Sequence, residues 1–229
     1  MSETTESVMQ LVVKMASILG AGIPIPGDEL TGGWKADYYV LCVPTFTISP
    51  AGDLTFQYDP EASGVYRVAD MKTAGIPNID AFVEALYDGT FQEAKTLPFD
   101  AGPKAMEFAL KRNCNVVIAL ADLNWQFNRC YYAVTIDGKY ANYYGNLRQL
   151  NKDGDRQSMP PPDPPLDQTT IPKIGPWSTI AYFSARRVPD NVVEEHPFNL
   201  HIQIIQGNQL VPITIDPDIK NDGNGPTWP

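Results

Sequence analysis

Residues 198–215 most constrain the fold, because they carry the pattern of a β-hairpin around a two-residue turn. Gly207-Asn208 lies between two extended, apolar-rich segments, and glycine at the first central position suits a type II′ turn. This turn would pair Gln206 with Gln209. A shift by one residue would place apolar side chains opposite polar ones, so the pattern predicts a single register. That register puts three apolar pairs on one face, namely Ile204–Val211, Ile202–Ile213 and Leu200–Ile215.

The other face of this hairpin is polar, and it presents His201 and Gln203 as candidate ligand-binding side chains. Pro212 occupies a non-hydrogen-bonded site of the predicted ladder, so its missing N–H affects only the outer side of its strand. Proline is confined to such places in sheets. We therefore predict that this strand is a sheet edge or meets its outer neighbour at a bulge.

Composition excludes several classes of protein. The 229 residues are 43% hydrophobic and 19% charged, which are globular values. The formal charge of −10 argues against nucleic acid or an anionic membrane as partner, since both need clustered Lys and Arg. Acidic residues stand where a signal peptide carries positive charge, and no apolar run reaches membrane-spanning length, which predicts a cytoplasmic protein. Cys42, Cys114 and Cys130 lack metal-ligand spacing and are expected to be reduced, mostly buried thiols.

Residues 4–19 are predicted to form an amphipathic helix, followed by a Gly/Pro-rich linker that ends at residue 33. Most such helices pack on their own domain. A linker behind the helix favours an arm that buries its apolar stripe against another subunit. Both interpretations stay open at this point. The second predicts a homo-oligomer whose contact side chains are Val8, Leu11, Val12, Met15, Ile18 and Leu19.

From Trp34 onward, short strand-like segments separated by turn signals predict a mainly β fold, an antiparallel β-sandwich over residues 34–229. Asn78 can cap a short helix over residues 78–88, and Gly89 stands where it would end. We expect this helix to plug one end of the sandwich. The other segments predicted as strands are Tyr38–Ile48, 54–58, 105–112, Val116–Ala121 and Ser178–Arg187.

A second hairpin is predicted at Asp137-Gly138, which is a type I′ turn signal between Tyr131–Ile136 and Lys139–Tyr144. Its register places Tyr140 on the polar face, where an aromatic ring can stack on a sugar. Tyr140 is therefore a third candidate ligand-binding residue. The stretch 145–176 is rich in proline and is predicted to be a long irregular loop.

The acidic tail offers the one candidate metal site. Asp216, Asp218, Asp222 and Asn224 lie close in sequence and carry the oxygen ligands that calcium prefers. Lys220 stands where a further ligand would be expected, and the same residues are ordinary turn composition. We expect weak calcium binding or none.

Catalytic motifs are scarce in the sequence. His196 precedes a proline and is predicted to lie in a turn. Gly-x-Ser-x-Gly, phosphate-cradling glycine and His-x-x-x-His patterns are missing from the sequence. These observations predict a non-enzymatic module for protein interaction or self-assembly. The alternative is a carbohydrate-binding, lectin-like sandwich assisted by calcium, and the third hypothesis is a hydrolase with an unrecognised carboxylate site.

Overall fold

The computed structural model describes residues 22–48, 50, 54–102, 106–120, 125–128, 132–151, 156–158, 178–206, 209–223 and 228–229. Within these ranges the chain is mainly β, as predicted. The helices are α1 Val68–Thr73, α2 Ile79–Tyr87 and a 3₁₀ helix Gly138–Tyr143. The strands are β1 Gly22–Pro24, β2 Tyr38–Cys42, β3 Pro44–Ile48, β4 Leu54–Tyr58, β5 Gly64–Arg67, β6 Leu97–Pro98, β7 Phe108–Leu110, β8 Cys114–Ala119, β9 Trp125–Phe127, β10 Val134–Asp137, β11 Tyr144–Asn151, β12 Arg156–Ser158, β13 Ser178–Ala185, β14 Val193–Gln206, β15 Gln209–Ile215 and β16 Asp218–Asp222.

The first large sheet is organised around β14, a strand of 14 residues. One edge of β14 pairs with β15 and then with β16, and the register of these two strands is continuous. The other edge pairs with β10 and β9, and β1 pairs with β10. The strand β7 runs parallel to β16. A single long strand therefore holds both halves of this sheet.

The predicted register of the C-terminal hairpin is confirmed. Within the described residues β15 pairs with β14 alone, so Pro212 lies on an edge strand as expected. Leu200 and Ile202 are fully buried on the predicted apolar face. The observed pairs are Leu200–Ile215, Ile202–Ile213, Ile204–Val211 and Gln206–Gln209.

The second large sheet has the strand order β12-β11-β13-β8-β2-β5-β6. The strand β8 lies inside this sheet, as its continuous apolar run predicts. It pairs antiparallel with β13 but parallel with β2. Both large sheets are therefore mixed, and the predicted antiparallel sandwich is confirmed only as a mainly β fold. Local turn signals predict antiparallel hairpins. Parallel pairs form between segments that are distant in sequence, so no turn signal predicts them.

The second sheet buries both of its faces. Val40, Val116 and Phe183 face a core that they share with Phe198 and Leu200 of the first sheet. On the opposite face, Tyr39, Leu41, Val117 and Tyr182 pack with Phe82 and Val83 of α2. The predicted helix is thus confirmed, including its cap, because the Asn78 side chain accepts a hydrogen bond of 2.9 Å from the Ala81 N–H. It covers a face of a sheet, however, and does not plug an end.

The prediction of a hairpin at Asp137-Gly138 is wrong. β10 ends at Asp137, whose carboxylate accepts a hydrogen bond from the Lys139 N–H at 3.1 Å, and the chain continues as the 3₁₀ helix. β10 belongs to the first sheet and β11 to the second, so the chain crosses between the sheets at this point. Tyr140 consequently lies in the 3₁₀ helix and not on the polar face of a strand.

Two segments that were expected to be irregular contain strands. In the predicted linker, β1 pairs with β10, and Ile25 is buried in the core. Glycine and proline are tolerated in β1 because it is an edge strand. At the start of the predicted proline-rich loop, β11 pairs with β12. The predicted helix 4–19 and its stripe lie outside the described residues, so the division into an arm and a β domain stays a prediction.

The described residues include no helix with the length and apolar character needed to span a bilayer.

Candidate functional site

The hairpin side chains predicted to bind a ligand are buried. His201 is 4% exposed and Gln203 is 8% exposed. Nε2 of His201 lies 2.9 Å from Thr135 Oγ1, and Nδ1 lies 3.1 Å from Thr214 Oγ1. Burial lowers the pKa of His201 to about 4, so its ring is neutral near pH 7. Ligand binding through His201 and Gln203 stays a prediction, and their burial leaves little surface for it.

The acidic tail does not form the compact loop that its composition suggests. Asp218 and Asp222 lie on β16, and a strand rise of about 3.3 Å per residue separates their Cα atoms by about 13 Å. Asp216 precedes this strand, and burial, followed by the charge of Asp218, raises its pKa. Among the described residues, no group of three or more His, Cys, Asp or Glu is placed to hold a metal ion. Asn224 lies outside them, and calcium binding stays a prediction.

A buried polar cluster surrounds His196, which lies in β14 and not in the expected turn. Its Nδ1 is 2.6 Å from Tyr144 Oη, and its Nε2 is 3.0 Å from Glu194 Oε2. The third predicted ligand-binding residue, Tyr140, stacks on the imidazole with 3.8 Å between ring centroids. His196 is fully buried, whereas 36% of the Glu194 side chain is exposed. We call these four residues the His196 cluster.

The protonation states of the His196 cluster follow from its burial. Burial lowers the pKa of His196, and the adjacent Glu194 opposes that shift only in part. Burial raises the pKa of Tyr144 well above its ordinary value. Near pH 7 the phenol is therefore protonated and donates to Nδ1, while the Nε2–H of a neutral imidazole donates to the Glu194 carboxylate. Both ring nitrogens of His196 thus have hydrogen-bond partners, and the bond to Tyr144 connects the two large sheets.

A cleft of about 440 Å³ lies where β2 and β8 begin, at one end of the second sheet. This volume is within the range of about 300–1,000 Å³ that is typical of small-molecule sites. Its walls come from the segment before β2, the end of β5, the helix α1, the turn before β8 and the end of the sequence. The lining residues are Ala36, Asp37, Tyr38, Arg67, Val68, Ala69, Lys72, Arg112 and Pro229.

The cleft is basic although the chain is acidic. Arg67, Lys72 and Arg112 line it against the single carboxylate of Asp37, in a protein whose formal charge is −10. Within the described part of the chain, none of these three cations forms an ion pair with an Asp or Glu side chain. The excess of cations over carboxylates in the lining favours an anionic ligand.

Strand pairing brings the basic side chains together. Arg67 ends β5 opposite Tyr38 of β2, and its N–H donates to Thr96 Oγ1 at 2.9 Å. Arg112 precedes β8, which runs parallel to β2 and so begins at the same end of the sheet. The Asp37 N–H donates to the Asn113 carbonyl at 2.9 Å, and this hydrogen bond connects the segments that precede β2 and β8. The two arginines converge because of non-local pairing, and no local motif signals them.

The arginines already hold oxygen atoms of the protein itself. Arg67 Nη2 donates to the Pro229 oxygen at 2.6 Å, and the Tyr38 hydroxyl donates to the same oxygen. Arg112 Nε donates to the Trp228 oxygen at 3.3 Å. The Trp228 ring packs edge-on against Tyr38, with ring centroids 5.1 Å apart. The cleft therefore has donors in place for oxygen acceptors.

One transverse row of the second sheet connects the cleft with the His196 cluster. Tyr144, Ala185, Cys114, Tyr38 and Arg67 are consecutive register partners on β11, β13, β8, β2 and β5. Four strand spacings of about 4.8 Å separate the ends of this row by about 19 Å. The two sites therefore lie at the same end of the sheet but do not share a ligand-sized space.

The loop that follows β13 is tied to the rim of the cleft. The Arg187 N–H donates to Asn113 Oδ1 at 3.0 Å, next to Arg112. The guanidinium of Arg187 donates to the carbonyls of Asp222 at 3.3 Å and Gly223 at 2.6 Å. The segment from β13 to β16 thus supports the turn that presents Arg112.

Residues 176–224, about a fifth of the chain, match a family described as a predicted novel nucleotide synthetase. No curated protein and no solved structure matches the chain. The matched segment contains β13 to β16, Glu194, His196 and Arg187. This likeness to an enzyme family overturns the prediction of a non-enzymatic interaction module. The prediction rested on the scarcity of catalytic motifs, and residues 176–224 carry none of the Gly-x-Ser-x-Gly or His-x-x-x-His patterns that would have signalled an enzyme.

Proposed function

We propose that this protein is an enzyme of nucleotide chemistry that holds the phosphate groups of a nucleotide in the basic cleft. The observation that carries this proposal is the convergence of Arg67, Lys72 and Arg112 on one cleft of about 440 Å³ in an acidic chain. The likeness of residues 176–224 to a predicted nucleotide synthetase supports the same ligand class.

The chemistry of the lining suits a phosphorylated ligand. Guanidinium groups form paired, charge-assisted hydrogen bonds to phosphate oxygens, whereas the Lys72 ammonium acts as a point charge. Asp37 supplies a carboxylate that accepts hydrogen bonds from sugar hydroxyls. Three cations in one small cleft fit a single nucleotide better than a polymer, which needs an extended basic track.

Isothermal titration calorimetry tests the binding step. The protein is titrated at low salt with mono-, di- and triphosphates of each of the four ribonucleosides. We expect affinity to rise with the number of phosphates, and Arg67→Gln and Arg112→Gln each to weaken binding at least tenfold. Arg148→Gln is the matched control, because this arginine lies on β11 and donates to Asn146 Oδ1 at 2.8 Å, away from the cleft. Binding of no nucleotide, or equal affinity in all variants, would contradict the proposal.

Turnover is measured separately by ³¹P NMR on nucleoside triphosphates incubated with the protein and Mg²⁺. We expect the phosphate resonances to change with time in the wild type and to stay constant in Arg112→Gln. A wild-type spectrum that stays constant with every triphosphate tested would reject catalysis on these substrates while leaving the binding result intact.

A further inference from the structure

The geometry points to self-inhibition of the basic cleft: Trp228 and Pro229 occupy the donors that a phosphate needs, and an anionic ligand binds by displacing them. We call these two residues the plug. This inference rests on the proposed nucleotide site and adds a regulatory contact to it. The oxygens of the plug mark the positions that the ligand oxygens would take. We therefore expect the affinity for an anionic ligand to be lower with the plug bound than without it.

The hydrogen bonds of the plug involve both arginines. Arg67 Nη2 donates to the Pro229 oxygen at 2.6 Å, and Arg112 Nε donates to the Trp228 oxygen at 3.3 Å. The Tyr38 hydroxyl also donates to the Pro229 oxygen. A ligand oxygen cannot take the same positions while the plug oxygens fill them. The two sets of acceptors are therefore mutually exclusive at these donors.

The two residues of the plug differ in how they are held. Trp228 is 6% exposed and its ring contacts Tyr38, so it anchors the plug in the end of the core. Pro229 is exposed and contributes its oxygen to the cleft. We therefore expect the Pro229 oxygen to leave first and the contact between Trp228 and Tyr38 to loosen when a ligand enters.

The difference in negative charge between the plug and a nucleotide favours replacement of the plug by the nucleotide. The Pro229 oxygen belongs to a group with at most one negative charge, whereas a nucleoside triphosphate carries several. Guanidinium forms paired hydrogen bonds to phosphate, and its attraction to an acceptor grows with the negative charge on that acceptor. A triphosphate therefore competes well with the plug, and its apparent affinity equals its intrinsic affinity multiplied by the fraction of free molecules in which the plug is not bound.

The first experiment compares ATP binding by the full chain and by a chain that ends at Thr227. Removal of the plug frees both arginines, so we expect the dissociation constant to fall at least fivefold. A second variant, Tyr38→Phe, keeps the aromatic packing and removes the hydroxyl, which hydrogen-bonds to the Pro229 oxygen and to the Arg67 side chain. We expect it to tighten ATP binding by a smaller factor, whereas Arg67→Gln weakens binding. If Tyr38 and Arg67 had a purely structural role, both variants would change the affinity for ATP in the same direction.

The second experiment follows Trp228 directly. The difference in emission between the wild type and Trp228→Phe isolates this indole from the other tryptophans. We expect ATP to shift the difference spectrum to longer wavelength and to increase its quenching by acrylamide, because loosening of the contact with Tyr38 exposes the ring to water. The same ATP titration of Trp228→Phe serves as the blank.

The outcomes separate this inference from the proposed function. If ATP binds both chains equally and the Trp228 emission is constant, the plug is rejected and the nucleotide site stands. If the shortened chain binds ATP more weakly at an unchanged melting temperature, the plug belongs to the binding site and the inference is also wrong. If neither chain binds ATP, both proposals fail. If the shortened chain does not fold, Tyr38→Phe decides, and unchanged or weaker ATP binding rejects the plug.

Discussion

Tyr144 Oη lies 2.6 Å from His196 Nδ1, and this hydrogen bond joins β11 of the second sheet to β14 of the first. Both side chains are fully buried, so neither can exchange its partner for water without opening the core. The imidazole is further enclosed by the ring of Tyr140, and its Nε2 bonds to the partly exposed Glu194. This hydrogen bond therefore helps to set the relative position of the two sheets at this end, together with the contacts that Arg187 and Asn221 make between the loop after β13 and β16.

Tyr144→Phe removes the hydroxyl and leaves Nδ1 of His196 without its partner in the core. A buried polar atom left unsatisfied costs about 1–3 kcal/mol, and we expect the free energy of unfolding in urea to fall by that amount. Tyr143→Phe is the control, because Tyr143 contacts the same imidazole through its ring, with centroids 5.3 Å apart. Equal stability of the two variants would show that the hydroxyl bond contributes nothing.

Stability should fall in mildly acidic solution because of the buried histidines. Burial lowers the pKa of His201 from 6.5 to about 4. The unfolded chain then binds a proton first, so the contribution is complete above pH 6.5 and is lost as the pH falls from 6.5 to about 4. The difference between these values corresponds to about 3 kcal/mol of unfolding free energy. The lowered pKa of His196 acts in the same direction.

Urea unfolding at pH 7.5 and pH 4.5 measures this effect in the wild type and in His201→Gln. The variant should lose less unfolding free energy between the two pH values, because it lacks His201, which is one of the two histidines with a lowered pKa. Identical losses in the two proteins would mean that His201 is protonated in the folded state at pH 4.5.

The buried thiols should react only after unfolding. Cys42 and Cys114 are free and fully buried, and burial raises the pKa of both. Thiolate is the reactive form, so a raised pKa and burial both slow modification. In a Cys130→Ser background, Ellman's reagent should detect no thiol in the native protein and two in urea. Rapid native labelling of either cysteine would contradict the buried placement.

Asn221 should be important for the loop that supports the cleft. Its side chain is fully buried, accepts a hydrogen bond from the Val188 N–H at 2.8 Å and donates to the Arg186 carbonyl at 2.9 Å. Asn221→Ala leaves both backbone groups without a partner, and we expect about 2 kcal/mol or more of lost stability in urea. Lys220→Ala is the control on the same strand, and its stability should change by less than about 0.5 kcal/mol.

The C-terminal hairpin shows what local sequence information can determine. A two-residue turn defines which residues are opposite each other, and the alternation of Leu200, Ile202 and Ile204 allows one register only. The edge position of Pro212 follows from the same alternation, because hydrogen-bonded and non-hydrogen-bonded pairs alternate as well. The cap at Asn78 is equally local, since its hydrogen bond spans three residues.

Asp137-Gly138 shows where this information fails. The same turn signal that is typical of a hairpin is used here to begin a 3₁₀ helix, because the two flanking segments join different sheets. His196 also looked like a turn residue beside a proline, yet β14 runs through it. Proline is tolerated there because its nitrogen points away from β16: the Phe198 N–H donates to the Pro217 carbonyl on that side at 3.0 Å, and N–H groups alternate between the edges of a strand. On the opposite edge the pairing with β10 begins only at Phe198.

The sequence by itself determined the β-rich character, the C-terminal register and the capped helix, since each depends on contacts between residues that are near in the chain or on a regular alternation. Only the tertiary structure decided the basic cleft and the His196 cluster. Arg67 and Arg112 meet because β2 pairs antiparallel with β5 and parallel with β8. Parallel pairing between distant segments has no turn to mark it, so the energy that selects it comes from burial of both faces of the sheet.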